Sequence, residues 1–172
     1  MENRHKVIPR SLTIIFNDDK TKILLIKGQP KKNHWANTYN ALGGHIEAGE
    51  NIHSSALREV KEESGILLKK DQLRLAGLIH VKDYNNEFAI MFVFTAIVGD
   101  VNLKSSKEGK VEWVKVNQLK SIKTIAPDIQ TLAPLCKKLE NNEIFFGVSI
   151  FNTDKSLKKF EIEEIEMKPN QV

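Results

Sequence analysis

The sequence predicts an α/β (α+β) fold in which a mixed β-sheet lies between helices and a C-terminal β-hairpin extends the sheet. Two stretches carry most of this prediction. Residues 88–98 are apolar at both alternating sets of positions, which indicates a central strand covered on both faces. Residues 51–64 lack proline and glycine and are followed by Gly65, which is typical of a helix with a glycine stop. Helices on both sides of the sheet would cover such a central strand.

The N-terminal quarter predicts a hairpin and a further short strand. Leu12, Ile14 and Phe16 alternate with their neighbours, which indicates a strand that ends at the turn residues Asn17 and Asp18. The apolar run 23–26 is typical of a strand buried on both faces, and it is close enough to pair with the first strand. Residues 28–38 are predicted to form a loop, and residues 39–42 a short strand.

The second half of the chain predicts three strands and a helix. The strands are expected at 73–81, 88–98 and 111–114, with a turn at 83–86 and a polar loop at 99–110. Residues 128–140 carry one apolar face, and Asp128 is suited to cap the helix that this face predicts. Pro134 is expected to kink this helix or to delay its start.

The C-terminal part is predicted to extend the main domain. We expect residues 1–142 to form that domain and residues 143–172 to add strands to it, at 144–151 and 160–167. Asp154 favours a turn between the two strands. Ile165 and Met167 are out of phase with Phe160 and Ile162, which indicates a bulge or an edge.

Composition excludes several classes of protein. The chain has 172 residues, 41% of them apolar, which is enough for one domain with a real core. It contains no apolar run of membrane-spanning length and no secretory signal, so no membrane partner is expected. The net charge of +4 is too mild and too dispersed to predict nucleic-acid binding. A single cysteine, Cys136, fits a reducing cytoplasm and a structural role. The chain is expected to be a monomer or a homodimer.

Residues 44–66, GHIEAGENIHSSALREVKEESGI, carry the chemistry. On the helix predicted at 51–64, Glu59, Glu62 and Glu63 fall within an arc of roughly 100° beside an apolar face. Like charges on one turn repel each other, and a cation would offset that repulsion. Carboxylate oxygens suit Mg²⁺ or Mn²⁺, so the pattern predicts a divalent-metal site for a phosphorylated ligand. The alternative is a solvated acidic face, with Arg58 and Lys61 relieving the repulsion.

The whole stretch resembles the signature of the Nudix hydrolase family, the Nudix box. Its constrained positions are all filled at the family spacing, by Gly44, Glu50, Arg58, Glu59, Val60, Glu62, Glu63, Gly65 and Ile66. The resemblance implies a Nudix fold and hydrolysis of a nucleoside diphosphate linked to another moiety, with Mg²⁺ or Mn²⁺ as cofactor. It also implies that residues 117–119 form a short helix after the preceding strand.

The resemblance also assigns roles to residues of the box. The Gly44 carbonyl and the carboxylates of Glu59, Glu62 and Glu63 are implied as metal ligands. Arg58 is implied to orient Glu50 or Glu59, with contact to the diphosphate as a lesser role.

Glu59 is the first choice for the catalytic base that the family requires. Glu112 and Glu108, near the strand at 111–114, are the alternatives for a base or an additional ligand. A salt-bridged loop is the structural alternative for both.

The box implies cleavage of a diphosphate but does not identify the group attached to it, so the substrate has to be predicted from other residues. By resemblance, Asn40 and Asp128 match positions at which MutT-like nucleoside triphosphatases contact a purine, and the Trp35 ring is suited to stack on the base. Each also has a structural interpretation: a strand-end amide, a helix cap and a cover for the core. Hydrolysis of ADP-ribose or of dinucleoside polyphosphates, the latter suggested by Tyr84, is the alternative activity. A nucleotide-binding Nudix domain without catalysis is the alternative of another class.

Overall fold

The computed structural model describes residues 6–30 and 36–166, and these residues form a mixed β-sheet with one α-helix on each face. The strands are β1 (Val7–Phe16), β2 (Lys22–Gly28), β3 (Tyr39–Asn40), β4 (Arg74–Lys82), β5 (Phe88–Ile97), β6 (Gly109–Lys115), β7 (Glu143–Phe151) and β8 (Leu157–Glu166). The α-helices are α1 (Ile52–Ser64) and α2 (Ile129–Lys138), and short 3₁₀ helices occupy Lys70–Gln72 and Val116–Ser121.

The strand order is β3-β2-β1-β5-β4-β7-β8, and β6 pairs antiparallel with β2. Strands β1 and β5 run parallel at the centre, in a register that begins at Val7 and Phe88 and ends at Phe16 and Ile97. Val93 of β5 packs in the core cluster that includes α2, and Phe94 packs in the cluster that includes α1. The predicted fold class and the prediction of a central strand covered on both faces are therefore confirmed.

Helix α1 has the boundaries that the sequence predicts. The Asn51 side chain caps its first turn by accepting a hydrogen bond from the Ser54 N–H at 2.9 Å. Gly65 ends the helix in the left-handed conformation, with φ of 75°, where a side chain would be strained. Ala56 and Val60 are fully buried in the α1-side cluster. These contacts fix which face of α1 turns away from the sheet.

Helix α2 begins at Ile129, directly after its capping residue Asp128. Pro134 lies inside the helix and does not delay its start. Because proline has no N–H, the Gln130 carbonyl lacks its usual α-helical donor. The buried face of the helix packs into the α2-side cluster. Cys136 is on this face, and burial raises the pKa of its thiol to about 12, in keeping with a structural role.

The C-terminal strands belong to the same sheet. Strand β7 pairs parallel with β4, and β8 pairs antiparallel with β7 at the edge. The pairing shifts between Ile150 and Phe151, so an irregularity exists but lies nearer the hairpin turn than the sequence pattern indicates. Strand β8 also begins three residues earlier than predicted, at Leu157, and Met167 lies outside the described residues.

Strand β1 is longer than predicted, because its N-terminal half pairs with β5 and with the segment before α1. The Ser11 N–H donates to the Gly44 carbonyl at 2.9 Å, and the Thr13 N–H donates to the Leu42 carbonyl at 2.7 Å. Gly43 lies so close to β1 that a Cβ atom there would be 2.1 Å from the Ser11 carbonyl oxygen. The segment that leads into α1 is thus held against the sheet by a glycine.

No helix within 6–30 or 36–166 combines the length and apolarity that a membrane span requires.

The substitution Gly43→Ala is expected to destabilise the protein by roughly 2–5 kcal/mol, because it adds a clash with β1 to an unfavourable backbone conformation at φ of 150°. Gly49→Ala is the matched control, since Gly49 has φ of 85° but no atom near the added Cβ. It should lower the stability by only about 1–2 kcal/mol. Urea unfolding measures both, and equal losses would contradict the close approach at Gly43.

Candidate active site

Arg58 of α1 is the centre of a hydrogen-bonded group of carboxylates. Its Nε and Nη2 atoms form a bidentate pair with Glu50, at 3.0 and 2.9 Å. Its Nη1 donates to Glu59 at 2.8 Å and to Glu62 at 3.2 Å, and Nη2 also donates to the His45 carbonyl at 3.1 Å. One guanidinium therefore joins the loop before α1 to two acids on the helix itself.

Glu59 and Glu63 are buried carboxylates, 9% and 4% exposed. Burial raises the pKa of Glu63 to about 8 and raises the pKa of Glu59, and the nearby charge of Glu108 acts in the same direction on both. For Glu59 the Arg58 guanidinium opposes this shift. In the absence of a further cation, these two carboxylates are poorly stabilised as anions.

The two buried acids lie against the paired glycines Gly43 and Gly44. The Gly43 N–H donates to Glu63 Oε2 at 2.9 Å. A Cβ on Gly44 would be 2.4 Å from Glu59 Oε1, so a side chain there would displace that carboxylate from its observed position. The segment before α1 and the helix itself therefore pack closely where Glu59 and Glu63 meet the two glycines.

Of the two alternatives near β6, the structure brings Glu108 and not Glu112 to this group. Glu108 precedes β6 and is close enough to raise the pKa of both Glu59 and Glu63. Glu50, Glu59, Glu62, Glu63 and Glu108 are called the acidic cluster below. Within the described part of the chain, Arg58 is the sole cationic side chain in ion-pair contact with it.

Glu112 lies on the opposite face of the sheet. It pairs with Leu25, which belongs to the α2-side cluster, whereas its neighbour Val111 faces α1. Its carboxylate accepts a short hydrogen bond from the Tyr39 hydroxyl and forms an ion pair with Lys110 at 3.4 Å. The Tyr39 bond lowers the pKa of Glu112 and raises that of Tyr39 to about 12. The geometry therefore does not support the predicted role of Glu112 as catalytic base or metal ligand.

The donor set of the acidic cluster fits a hard divalent cation. It offers five carboxylates, two of them buried, against one guanidinium. No three acidic, imidazole or thiol side chains in the described residues already surround one point at ligand distance. Glu59 and Glu62 instead share Arg58, and Glu62 is 58% exposed. Because Mg²⁺ binds through few protein carboxylates and keeps several waters, such a preformed cage is not required.

Two of the three predicted base-contacting residues lie in adjoining segments. The Tyr39 N–H donates to the Thr124 carbonyl at 2.8 Å, and the Ala126 N–H donates to the Tyr39 carbonyl at 2.8 Å. This pairing brings the segment that holds Asn40 beside the one that leads to Asp128. Trp35 lies outside the described residues.

Asn40 and Asp128 each keep a polar atom without a partner among the described residues. Asn40 Oδ1 accepts from the Ala41 N–H, which leaves its amide nitrogen free. Asp128 is buried and one of its oxygens accepts from the Ile129 N–H, while burial raises its pKa to about 6. Asp128 is thus the predicted helix cap, with a second carboxylate oxygen that the cap does not use.

The sequence interpretation missed two contacts, the hydrogen bond from Tyr39 to Glu112 and the one from the Gly43 N–H to Glu63. Tyr39 also carries Lys27 over its ring, with Nζ 5.2 Å from the ring centroid. The sequence of β6 does carry a signal for the position of Glu112. Val111 is apolar and its neighbour is not, and consecutive residues of a strand face opposite sides of the sheet, so Glu112 is expected on the side away from α1. No comparable pattern in the sequence indicates the Tyr39 contact.

Comparison with known proteins gives the same assignment as the box. The NUDIX domain family model matches residues 7–136. The oxidized purine nucleoside triphosphate hydrolase of Danio rerio is 25% identical over 156 residues, which cover 90% of this chain and 95% of that protein. The ADP-ribose pyrophosphatase of Methanocaldococcus jannaschii is 33% identical over 110 residues, which cover 62% of this chain and 60% of that protein.

A solved structure shares the fold. The MutT protein from Bacillus halodurans superimposes with a TM-score of 0.74 over 91% of this chain and 98% of its own, at 22% identity. Together with the family model and the complete box on α1, this fold similarity identifies the chain as a member of the Nudix hydrolase family.

Proposed function

We propose that this chain is a divalent-metal-dependent pyrophosphohydrolase that cleaves purine nucleoside triphosphates, oxidised or normal, to a monophosphate and pyrophosphate. The observation that carries the proposal is the acidic cluster, in which Arg58 pairs with buried Glu59, and no cationic side chain of the described residues forms an ion pair with buried Glu63. A group of carboxylates held without enough cations suits a site that gains its countercharge from a metal ion.

The Gly44 carbonyl and the carboxylates of Glu59, Glu62 and Glu63 would hold the ion, Mg²⁺ or Mn²⁺. When bound, such an ion neutralises phosphate charge and makes water a better nucleophile at neutral pH. Glu59 is suited to accept the proton of the attacking water, because burial raises its pKa and Arg58 fixes its orientation. Glu108, close to both buried acids, is the alternative base.

Two observations support a triphosphate substrate with a purine base. The similarity to the Danio rerio enzyme extends over 156 residues, beyond the 130 that the family model covers, and so includes part of the C-terminal strands. The free amide of Asn40 and the free carboxylate oxygen of Asp128 lie in adjoining segments and suit the edge of a base.

Cleavage of ADP-ribose is the second candidate, favoured by the 33% identity to the Methanocaldococcus jannaschii enzyme. That match covers less of both chains than the match to the Danio rerio enzyme does. Tyr84, which suggests a dinucleoside polyphosphate, packs instead against the α2-side cluster, with Lys155 over its ring.

The first test is chromatographic identification of the products formed from a nucleotide panel with Mg²⁺ or Mn²⁺. The panel contains 8-oxo-dGTP, the normal purine and pyrimidine triphosphates, ADP-ribose and diadenosine polyphosphates. Pyrophosphate and a monophosphate from a purine triphosphate are expected. Preferred cleavage of ADP-ribose or of a dinucleotide would contradict the proposed substrate and keep the metal chemistry. No turnover of any nucleotide would favour a binding domain.

Glu62→Gln combined with Glu63→Gln is expected to reduce hydrolysis by at least about 10²-fold with the fold intact. The amide oxygen that replaces the Glu63 carboxylate can still accept from the Gly43 N–H, while the negative charge is lost. Steady-state kinetics at saturating Mg²⁺ and circular dichroism measure the two properties. Unchanged turnover would exclude these carboxylates as metal ligands.

Glu108→Gln and Glu112→Gln form a matched pair that separates the two acids near β6. The first is expected to reduce kcat by roughly tenfold or more, since Glu108 lies beside Glu59 and Glu63. The second should leave kcat within about twofold of the wild type, because Glu112 binds Tyr39 on the other face. The reverse result would return the catalytic role to Glu112.

Asp128→Asn is expected to change how stability depends on pH. The pKa of Asp128 rises from 3.8 to about 6 on folding, so its contribution to stability is fully present below pH 3.8 and is lost as the pH rises through 6. Asparagine keeps the cap without titrating. The variant should therefore gain roughly 2–3 kcal/mol relative to the wild type between pH 4 and pH 7.

Urea unfolding at the two pH values measures this difference for Asp128→Asn. Asp154→Asn is the control, because Asp154 is an exposed turn residue whose pKa is lowered by its bonds to Ser156. Its effect should be small and of opposite sign. An identical pH dependence of wild type and Asp128→Asn would show that Asp128 does not titrate as a buried acid.

A further inference from the structure

A cavity of about 670 Å³ lies on the molecule away from the acidic cluster. Its walls come from the end of β6, the 3₁₀ helix Val116–Ser121 and α2. The lining residues that matter here are Lys115, Asn117, Lys120, Gln130, Pro134 and Lys137. We call it the lysine cavity. Its volume is in the range of small-molecule sites.

The lysine cavity and the acidic cluster lie at opposite ends of β2. Lys22 pairs with Lys115 at the cavity end, and Gly28 pairs with Gly109, next to Glu108, at the other end. Six residue steps along a strand span about 20 Å. A small ligand in the cavity therefore does not touch the acidic cluster.

The cavity concentrates positive charge that is not neutralised. Lys115, Lys120 and Lys137 come from three different elements, and none forms an ion pair with a residue in the described part of the chain. Among the residues that the structure describes, no acidic side chain lines the cavity. Asp19, two residues before the lining residue Thr21, lines a separate cavity. Helix dipoles favour lysines at the ends of helices, but they do not explain three lysines around one hollow.

One wall of the cavity is fixed in place. Gln130, Pro134 and Lys137 follow one stripe of α2, at spacings of four and three residues. The Gln130 amide donates to the Leu119 and Ile122 carbonyls, both at 3.3 Å, and so ties α2 to the 3₁₀ helix. Pro134 adds a rigid apolar surface beside the lysines. This wall is thus preformed, and the exposed side chains of the three lysines supply the positive charge around it.

We propose that the lysine cavity binds a small polyphosphate anion, either inorganic pyrophosphate or the polyphosphate of a nucleotide, without a metal ion. Three ammonium groups match the charge of a diphosphate better than that of a single phosphate, and lysine binds phosphate as a point charge from several directions. Asn117 supplies a further polar group at the wall. This site does not depend on the proposed hydrolytic activity.

The test is a titration of the full chain with inorganic pyrophosphate in EDTA at fixed ionic strength. Isothermal titration calorimetry measures the binding, and NMR amide chemical shifts locate it. EDTA removes divalent ions, so the acidic cluster repels the probe. We expect one saturable site, with shifts at 115–120 and 130–137. Lys115→Gln with Lys137→Gln should weaken binding by about tenfold or more. ADP is titrated in the same way. Tighter binding of ADP would identify a nucleotide as the ligand, and tighter binding of pyrophosphate would identify the inorganic anion.

Lys6→Gln with Lys158→Gln is the control, since it removes the same charge from exposed positions on β8 and before β1. It should weaken binding by less than about twofold. Equal weakening by both pairs, shifts centred on residues 44–65, or no saturation up to about 10 mM would each overturn the proposal. Binding of heparin without binding of pyrophosphate would also overturn it. Lys120→Gln replaces the double variant if circular dichroism shows that the latter does not fold.

Discussion

The hydrogen bonds of Arg58 are the interaction on which the rest of the site depends. One guanidinium holds Glu50 before the helix, Glu59 and Glu62 on the helix, and the His45 carbonyl in the loop. Glu59 is buried and Glu50 is partly buried, so removal of the guanidinium would leave both carboxylates without their cationic partner. The pair with Glu50 lowers the pKa of that acid, chiefly through the Arg58 bond. The loop geometry and the helix charge are therefore set by the same side chain.

The two buried carboxylates of the acidic cluster are unfavourable in the protein without a further cation. Glu63 is buried where its pKa rises to about 8, and Glu59 is buried beside it. A core position filled by an apolar side chain would avoid this desolvation. The adjoining glycines pack closely on both sides: a Cβ on Gly43 would clash with β1, and a Cβ on Gly44 would clash with the Glu59 carboxylate. Such an arrangement is coherent for a protein that acquires positive charge when it works.

The fold was predictable because apolar periodicity marks its strands and helices, and the box was predictable through its resemblance to the Nudix signature. The caps of α1 at Asn51 and Gly65 are local signals, and the apolar faces of β5 follow from composition alone. The motif order that suggested Glu112 gave no information on its face of the sheet, which the alternation within β6 decides. Glu108 reaches the acidic cluster because it precedes the strand. The Tyr39 contact with Glu112 spans two strand pairings that the sequence does not specify.

The parallel pairing of β1 with β5 has a consequence for how the chain reaches this structure. Val7 pairs with Phe88, so the central contact of the sheet joins residues about eighty positions apart. Contacts of this range close slowly, since the loop entropy is lost before the pairing compensates for it. On a ribosome, β1, β2 and α1 emerge with their apolar faces uncovered until β5 follows. Recruitment of a chaperone to the first half of the nascent chain, and aggregation of fragments that end before β5, are the expected results.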